Sequence, residues 1–120
     1  MRQMVSPASL EQILRERFGY PQFKEGQQEV ITSVLHGRDT LVIKSTGGGK
    51  SLCYQLPSLL LKGITLVVTP LISLMEDQVE EARKMGRKDV AALHSGLSMD
   101  ERKWIVNHLS SYRLLYISPE

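Results

Sequence analysis

Cysteine is all but absent from this chain. Cys53 stands alone, which excludes an internal disulfide and leaves no cysteine cluster for a metal. That suits a reducing cytosol, and Cys53 itself reads as a small buried residue on a helix. The three histidines, His36, His94 and His108, have no ligand spacing and read as surface or loop residues. Long apolar runs are lacking too. The longest, Leu52 to Leu61, is interrupted by Gln55 and Pro57 and falls far short of the roughly 20 residues a membrane helix needs. Met1 to Ser9 is polar and has no apolar core of the kind a signal peptide carries, so the cytoplasm is the expected compartment. A strong charge of one sign is missing as well. A net charge of +2 permits a nucleic-acid partner without arguing for one. Repeats, linkers and low-complexity stretches are not found.

What the 120 residues do contain is ordinary globular composition, 42% hydrophobic and 23% charged, enough for one domain with a usable core. Ser9 and Gln12 form a capping-box pattern ahead of Leu10, Ile13, Leu14 and Phe18 at helical spacing, with Gly19 as a stop. A second helix is expected from about Gly26 to His36, with Val30, Ile31, Val34 and Leu35 as its apolar side and Gly37 behind it. Thr40 to Ile43 is short, β-branched and apolar, as a buried parallel strand is. A helix then begins near Lys50, and Pro57 predicts a kink or an early end within it. The alternation repeats: a strand at Ile64 to Val68, a helix at Leu71 to Met85 stopped by Gly86, and a weaker strand at Val90 to Leu93. A capping box at Ser98 and Glu101 opens a helix to about Leu109, and Arg113 to Ile117 is a last strand. Four strands separated by helices predict right-handed βαβ units: an α/β fold whose open parallel sheet carries helices on both faces, preceded by a short helical segment. The expected division is a helical segment at 1–37 followed by the sheet domain at 38–120. Met75, Met85 and Met99 read as core filler, and Trp104, with Ile105 and His108 on one helix, as packing.

Gly47-Gly48-Gly49-Lys50-Ser51, between a strand and a helix, is the motif that carries chemistry. Glycines let backbone N–H groups close around phosphate oxygens, and the helix start adds the positive end of its dipole. Lys50 can reach the β- and γ-phosphates, and the Ser51 hydroxyl is a natural Mg²⁺ ligand. Lys44 stands where the strict P-loop pattern has its first glycine. The bland alternative is a glycine turn that happens to precede a lysine.

Four segments in order, spanning most of the chain, resemble the RecQ branch of superfamily 2 helicases. Phe18-Gly19-Tyr20-Pro21-Gln22-Phe23-Lys24-Glu25-Gly26-Gln27 is similar to that family's motif 0. The resemblance implies that Tyr20 stacks on adenine and that Gln27 pairs with adenine's N6 amino group and N7, which rejects guanine. Lys24 stands in place of the usual arginine. The bland alternative for Phe18, Tyr20 and Phe23, taken alone, is a hydrophobic staple between two helices. Ser45 to Pro57 resembles motif I, and the run Leu52-Cys53-Tyr54-Gln55 singles out the RecQ branch. Thr46, Gly47, Gly48, Gly49, Lys50 and Ser51 thereby become expected ATP contacts, with Lys50 and Ser51 catalytic and Ser51 on Mg²⁺. Val68 to Gln78 resembles motif Ia, with Glu76 where relatives often have lysine, and Leu114 to Glu120 resembles motif Ib. These imply DNA-backbone contacts at Pro70, Ser73 and Ser118, to which the Leu93-His94-Ser95-Gly96 turn could add Ser95.

The resemblance implies an ATP- and Mg²⁺-dependent DNA helicase of 3′-to-5′ polarity, working on single-stranded or partly duplex DNA. No membrane partner is expected, and the protein would sit on the nucleoid in a bacterium or in the nucleus of a eukaryote. The family's Asp-Glu-x-His motif would follow Glu120, and a second motor domain supplies the arginine finger. The 120 residues alone are therefore expected to bind nucleotide with little turnover. Two other readings stay open: a small P-loop kinase or GTPase, and a non-catalytic helicase-like module that binds nucleotide or DNA.

Overall fold

The computed structural model describes residues 6–41 and 49–119. It divides into two compact units, Met1–Leu61 and Lys62–Glu120.

The first unit is helical. Helix α1 (Pro7–Ile13) continues through a π-helical turn at Leu14–Phe18 and ends at Gly19, whose φ of 74° is the left-handed geometry that glycine tolerates. The cap lies earlier than the sequence pattern suggests. Ser6, not Ser9, closes the N-terminus, its Oγ accepting the Ser9 N–H at 3.2 Å, while Gln12 reaches forward to Glu16. Pro7 explains the shift: its fixed φ and missing N–H suit the first helical position. Helix α2 (Gln27–Leu35) and helix α3 (Leu52–Leu60) follow. Burial recurs every fourth residue on all three helices, at Leu10, Leu14 and Phe18, at Ile31 and Leu35, and at Leu52 and Leu56, which form one core. Cys53 is buried on α3 as expected. Helix α3 runs three residues past Pro57 before Leu61 turns extended. The ring of Pro57 is fully buried, and that burial offsets the hydrogen bond its nitrogen cannot make. Of the expected first strand, Thr40 and Leu41 are outside any strand, Leu41 is exposed, and Val42 and Ile43 lie outside the described residues.

The second unit is a parallel sheet with helices. Strands β1 (Thr65–Val68), β2 (Val90–Leu93) and β3 (Leu114–Ile117) lie in the order β1-β3-β2, three strands among the described residues where four were expected. Helix α4 (Ile72–Lys84) joins β1 to β2, and helix α5 (Met99–Asn107) joins β2 to β3. The chain steps two places across the sheet through α4 and one place back through α5, so right-handed crossovers set the two helices on opposite faces. The contacts agree. Ile105 of α5 clusters with Ala91 and Leu115, whereas Gln78 of α4 accepts from the hydroxyl of Tyr116, one residue further along β3. Leu66 and Val68 of β1, an end strand of the described sheet, are 58% and 65% exposed.

The capping box of α5 is present: Ser98 Oγ accepts from Glu101 N–H, and Glu101 Oε1 accepts from Ser98 N–H. That N–H and the Ser98 hydroxyl hold the Glu101 carboxyl below its usual range. At the other end of the sheet, Arg87 is buried and grips Asp89 with two bonds, Nε to Oδ1 at 3.0 Å and a terminal nitrogen to Oδ2 at 3.1 Å. Burial alone would raise the Asp89 carboxyl. The Arg87 hydrogen bond and charge, with Arg113 beyond, outweigh it and hold Asp89 below its ordinary value. Met75 is fully buried, as core filler should be, but Met85 and Met99 are 43% and 61% exposed.

Candidate nucleotide and nucleic-acid sites

Gly26, at φ 82°, turns the chain into α2 and leaves Gln27 as that helix's first residue, buried at the head of the Ile31 and Leu35 stripe. A buried amide must be satisfied. Gln27 Oε1 accepts the Lys24 N–H at 2.7 Å, and Gln27 Nε2 donates to the Gly49 carbonyl at 3.0 Å. A glutamine amide has two N–H donors and two lone pairs, so these bonds leave one of each. Gly49 has φ 78°, and a Cβ built on it would lie 2.1 Å from Gln27 Nε2. Only glycine fits there. The Cys53 Sγ also reaches the Gly49 carbonyl, at 3.9 Å.

Tyr20, Gln27, Gly49 and Ser51 share a cavity of about 240 Å³ with Lys24 and Gln55. Tyr20 is 51% exposed, so of the three candidate staple aromatics only Phe18 and Phe23 pack into the core. Ser51 starts α3 without using its hydroxyl as a cap, and its carbonyl accepts the Gln55 N–H at 2.9 Å. Lys50 is exposed. The segment thus brings an exposed lysine, a hydroxyl that does not cap its helix and a helix N-terminus to the mouth of an aromatic and amide-lined cavity. Thr46, Gly47 and Gly48 lie outside the described residues.

In the second unit, the segments leaving the three strands are stitched together at their carboxyl ends, where ligands of open parallel sheets bind. Thr69 N–H donates to Ile117 O at 3.1 Å, and Ser118 N–H to Leu93 O at 3.2 Å. Pro70 and Ser95 are exposed, as is Ser73 in the first turn of α4. That helix begins at Leu71 without a side-chain cap. Ser118 differs: it is buried, and its Oγ has no partner among the described residues.

A polar chain at this edge escaped the sequence reading. His94 is buried rather than on the surface, and its Nδ1 accepts the Gly96 N–H at 3.1 Å. A backbone N–H can only donate, so Nδ1 is unprotonated, and the proton on Nε2 is shared with Glu76 Oε1 of α4. Glu76 is thus the acceptor that satisfies a buried imidazole. Eighteen residues separate the two, with no local pattern to announce them. His108 is also not a bare surface residue. It stacks on Trp104 with ring centroids 3.6 Å apart, and Trp104 is 60% exposed rather than packed inside. Among the described residues no group of three or more His, Cys, Asp or Glu side chains could hold a metal, and no helix is long and apolar enough to cross a membrane.

Residues 24–120 match the family described as DEAD/DEAH box helicase, and the chain belongs to that family. Its relatives place it among the RecQ-type members. It is 51% identical over 111 residues to the probable ATP-dependent DNA helicase RecS of Bacillus subtilis, covering 92% of this chain and 22% of that protein. It is 50% identical over 119 residues to the ATP-dependent DNA helicase RecQ of Synechocystis, covering 98% of this chain and 25% of that one. The RecQ helicase of Haemophilus influenzae is 46% identical over 110 residues, covering 90% and 18%. The chain therefore spans a quarter or less of the length of these relatives.

Proposed function

We propose that this chain is the ATP-binding portion of a RecQ-like DNA helicase, which couples ATP hydrolysis to 3′-to-5′ strand separation. The observation that carries the reading is the Gln27–Gly49 bond, which ties the motif 0 segment to the start of α3 and sets Tyr20 beside Ser51 in one cavity. Tyr20 stacks on the adenine, and the remaining N–H and lone pair of Gln27 meet its edge. Lys24 contributes positive charge beside the base. Thr46, Gly47, Gly48 and Gly49 line the phosphates, and Lys50 neutralises the β- and γ-oxygens. Mg²⁺, when bound, screens the same oxygens, and the Ser51 hydroxyl, which does not cap α3, is the ligand this chain offers it. Residues 1–37 then serve base recognition and 38–120 phosphate and DNA contact.

Pro70, Ser73 and Ser95 contact the DNA backbone at the carboxyl edge of the sheet, with no reading of base sequence. Ser118 acts there through its backbone, since its hydroxyl is buried. The names of the relatives favour a helicase over a kinase or GTPase. Calorimetric titration of the chain with Mg-ATP and Mg-GTP, alongside Lys50→Ala, tests the reading. ATP-selective binding that is lost in a folded Lys50→Ala variant is expected. Equal binding of GTP would return the kinase or GTPase reading, and no binding by the folded parent chain would reduce it to a structural piece.

A further inference from the structure

Strand β2 hands the chain to a turn that His94 opens and Leu97 closes, the Leu97 N–H donating to the His94 carbonyl at 3.3 Å. Within the turn the Gly96 N–H points at the His94 ring and donates to Nδ1 at 3.1 Å. The fit is close: a Cβ on Gly96 would lie 3.0 Å from Nδ1 and 3.1 Å from Cε1. Ser95 and Gly96 are exposed, whereas His94 is only 6% exposed. A buried titratable ring thus holds a donor that belongs to an exposed turn. Its other nitrogen meets Glu76 of α4, whose side chain is 54% exposed. Glu76 follows Ser73 by three residues and so shares its side of that helix. The two partners of the histidine therefore lie beside Ser95 and Ser73, both assigned to the DNA backbone.

With Nδ1 accepting and Nε2–H donating, the pair carries the single negative charge of Glu76. A proton from solvent on Nδ1 makes both ring nitrogens donors and the pair neutral. Two N–H groups cannot face each other, so the Gly96 N–H must then turn outward, to water or to a phosphate oxygen. The charges around the ring are few. Glu76 touches it, and Glu101 of α5, held low first by the Ser98 N–H and hydroxyl, also feels charge on His94. Arg83 and Asp100 line the adjoining cavity with opposite charges. Strands β2 and β3 and segment 69–71 bring no charged side chain, and the Tyr116 hydroxyl is taken by Gln78. We propose that His94 and Glu76 form a proton-operated gate on phosphate contact at this turn. The neutral pair withholds the Gly96 N–H and presents a negative charge. The protonated pair releases the donor and cancels the charge. The gate rests on the DNA-backbone contacts proposed for the same edge. One proton is taken up from solvent each time it opens, so DNA and proton each strengthen the binding of the other.

The test is binding of a rhodamine-labelled oligothymidylate by the whole chain, at fixed salt, between about pH 8 and about pH 6. Phosphodiesters do not titrate in this range, so the slope belongs to the protein. Affinity is expected to rise about tenfold as pH falls across it. His94→Asn keeps an acceptor for the Gly96 N–H but takes no proton, and should lose that rise while circular dichroism shows it folded. The double variant His36→Asn, His108→Asn should keep it. Glu76→Gln removes the charge and keeps an acceptor, so it should bind DNA more tightly near pH 8 and gain less on acidification. In the free chain the Gly96 amide resonance should move with titration of the His94 ring, which decides the matter even if His94→Asn does not fold. An equal rise in folded His94→Asn, or a Gly96 amide indifferent to His94, would overturn the gate. Affinity of the parent chain that ignores pH would overturn the gate alone. No DNA binding by the folded chain at any pH would refute the backbone contacts and the gate with them.

Discussion

Gln27 and Gly49 constrain each other: the glutamine amide donates to the glycine carbonyl at 3.0 Å and occupies the space a Cβ would need. Gly49→Ala therefore meets two costs, a clash at 2.1 Å and a left-handed φ of 78°. We expect it to lower stability by about 1–3 kcal/mol, seen as a lower urea midpoint with an unchanged slope. Adding Gln27→Ala should restore the part due to the clash and not the part due to φ.

Gln27→Ala alone should do more than erode the preference for ATP over GTP. It also leaves the Lys24 N–H and the Gly49 carbonyl without this partner, a loss of about 1 kcal/mol. Affinity for both nucleotides should fall, ATP more than GTP, in parallel calorimetric titrations. Unchanged selectivity would remove the base-reading role and leave only the positioning one.

Glu76→Ala strands the buried Nε2–H of His94. A loss of about 1–3 kcal/mol is expected even though Glu76 is itself half exposed, because the burial is on the histidine side. Glu76→Gln keeps an acceptor and should lose less. Thermal melts of the two variants separate these outcomes.

The Arg87–Asp89 pair predicts the sign of an acid effect. Asp89 has its carboxyl lowered in the fold, so its contribution is present above the unfolded value of 3.8 and is lost as pH falls through the folded value. Asp89→Asn should destabilise the chain at neutral pH and converge with the parent in strong acid. Urea midpoints across that range check it. Arg87→Ala should cost about 2 kcal/mol at neutral pH.

Trp104 and His108 stack on the surface, so neither holds the core. Trp104→Ala is expected to change stability by less than about 0.5 kcal/mol. His108→Ala should instead alter the emission of Trp104, because it removes the ring stacked on the fluorophore. A large loss of stability in either variant would show that the stack has a structural role.

Much of this molecule was legible because it is local. Helix ends at Gly19 and Gly86, the Ser98–Glu101 capping box, the parallel strands and the burial of Cys53 all follow from short-range spacing. The misplaced first cap shows the limit of that approach: Ser9-x-x-Gln12 matched a pattern, but Pro7 fixed the helix start one cap earlier. What spacing could not show were pairings set by tertiary approach. Glu76 meets His94 only because α4 and the turn after β2 share an edge of the sheet. Met75 and Met85 look alike in sequence and differ in burial because one faces the strands and the other follows the end of α4. At the candidate nucleotide cavity, Gln27 and Tyr20 were legible as family residues, whereas the bond from Gln27 to Gly49 was not.

The strand order has a consequence for how the chain is made. Both β1 and β2 pair with β3, the last of the three to be synthesised. During translation Thr65 must wait for Leu114, and Val90 for the same residue, before either gains the partner it has among the described strands. The helical unit can collapse on the ribosome while β1 and β2 still lack their pairing with β3. Slowing synthesis between α5 and β3 would prolong that state, and speeding it would shorten the interval in which a nascent chain is open to chaperones or to its neighbours.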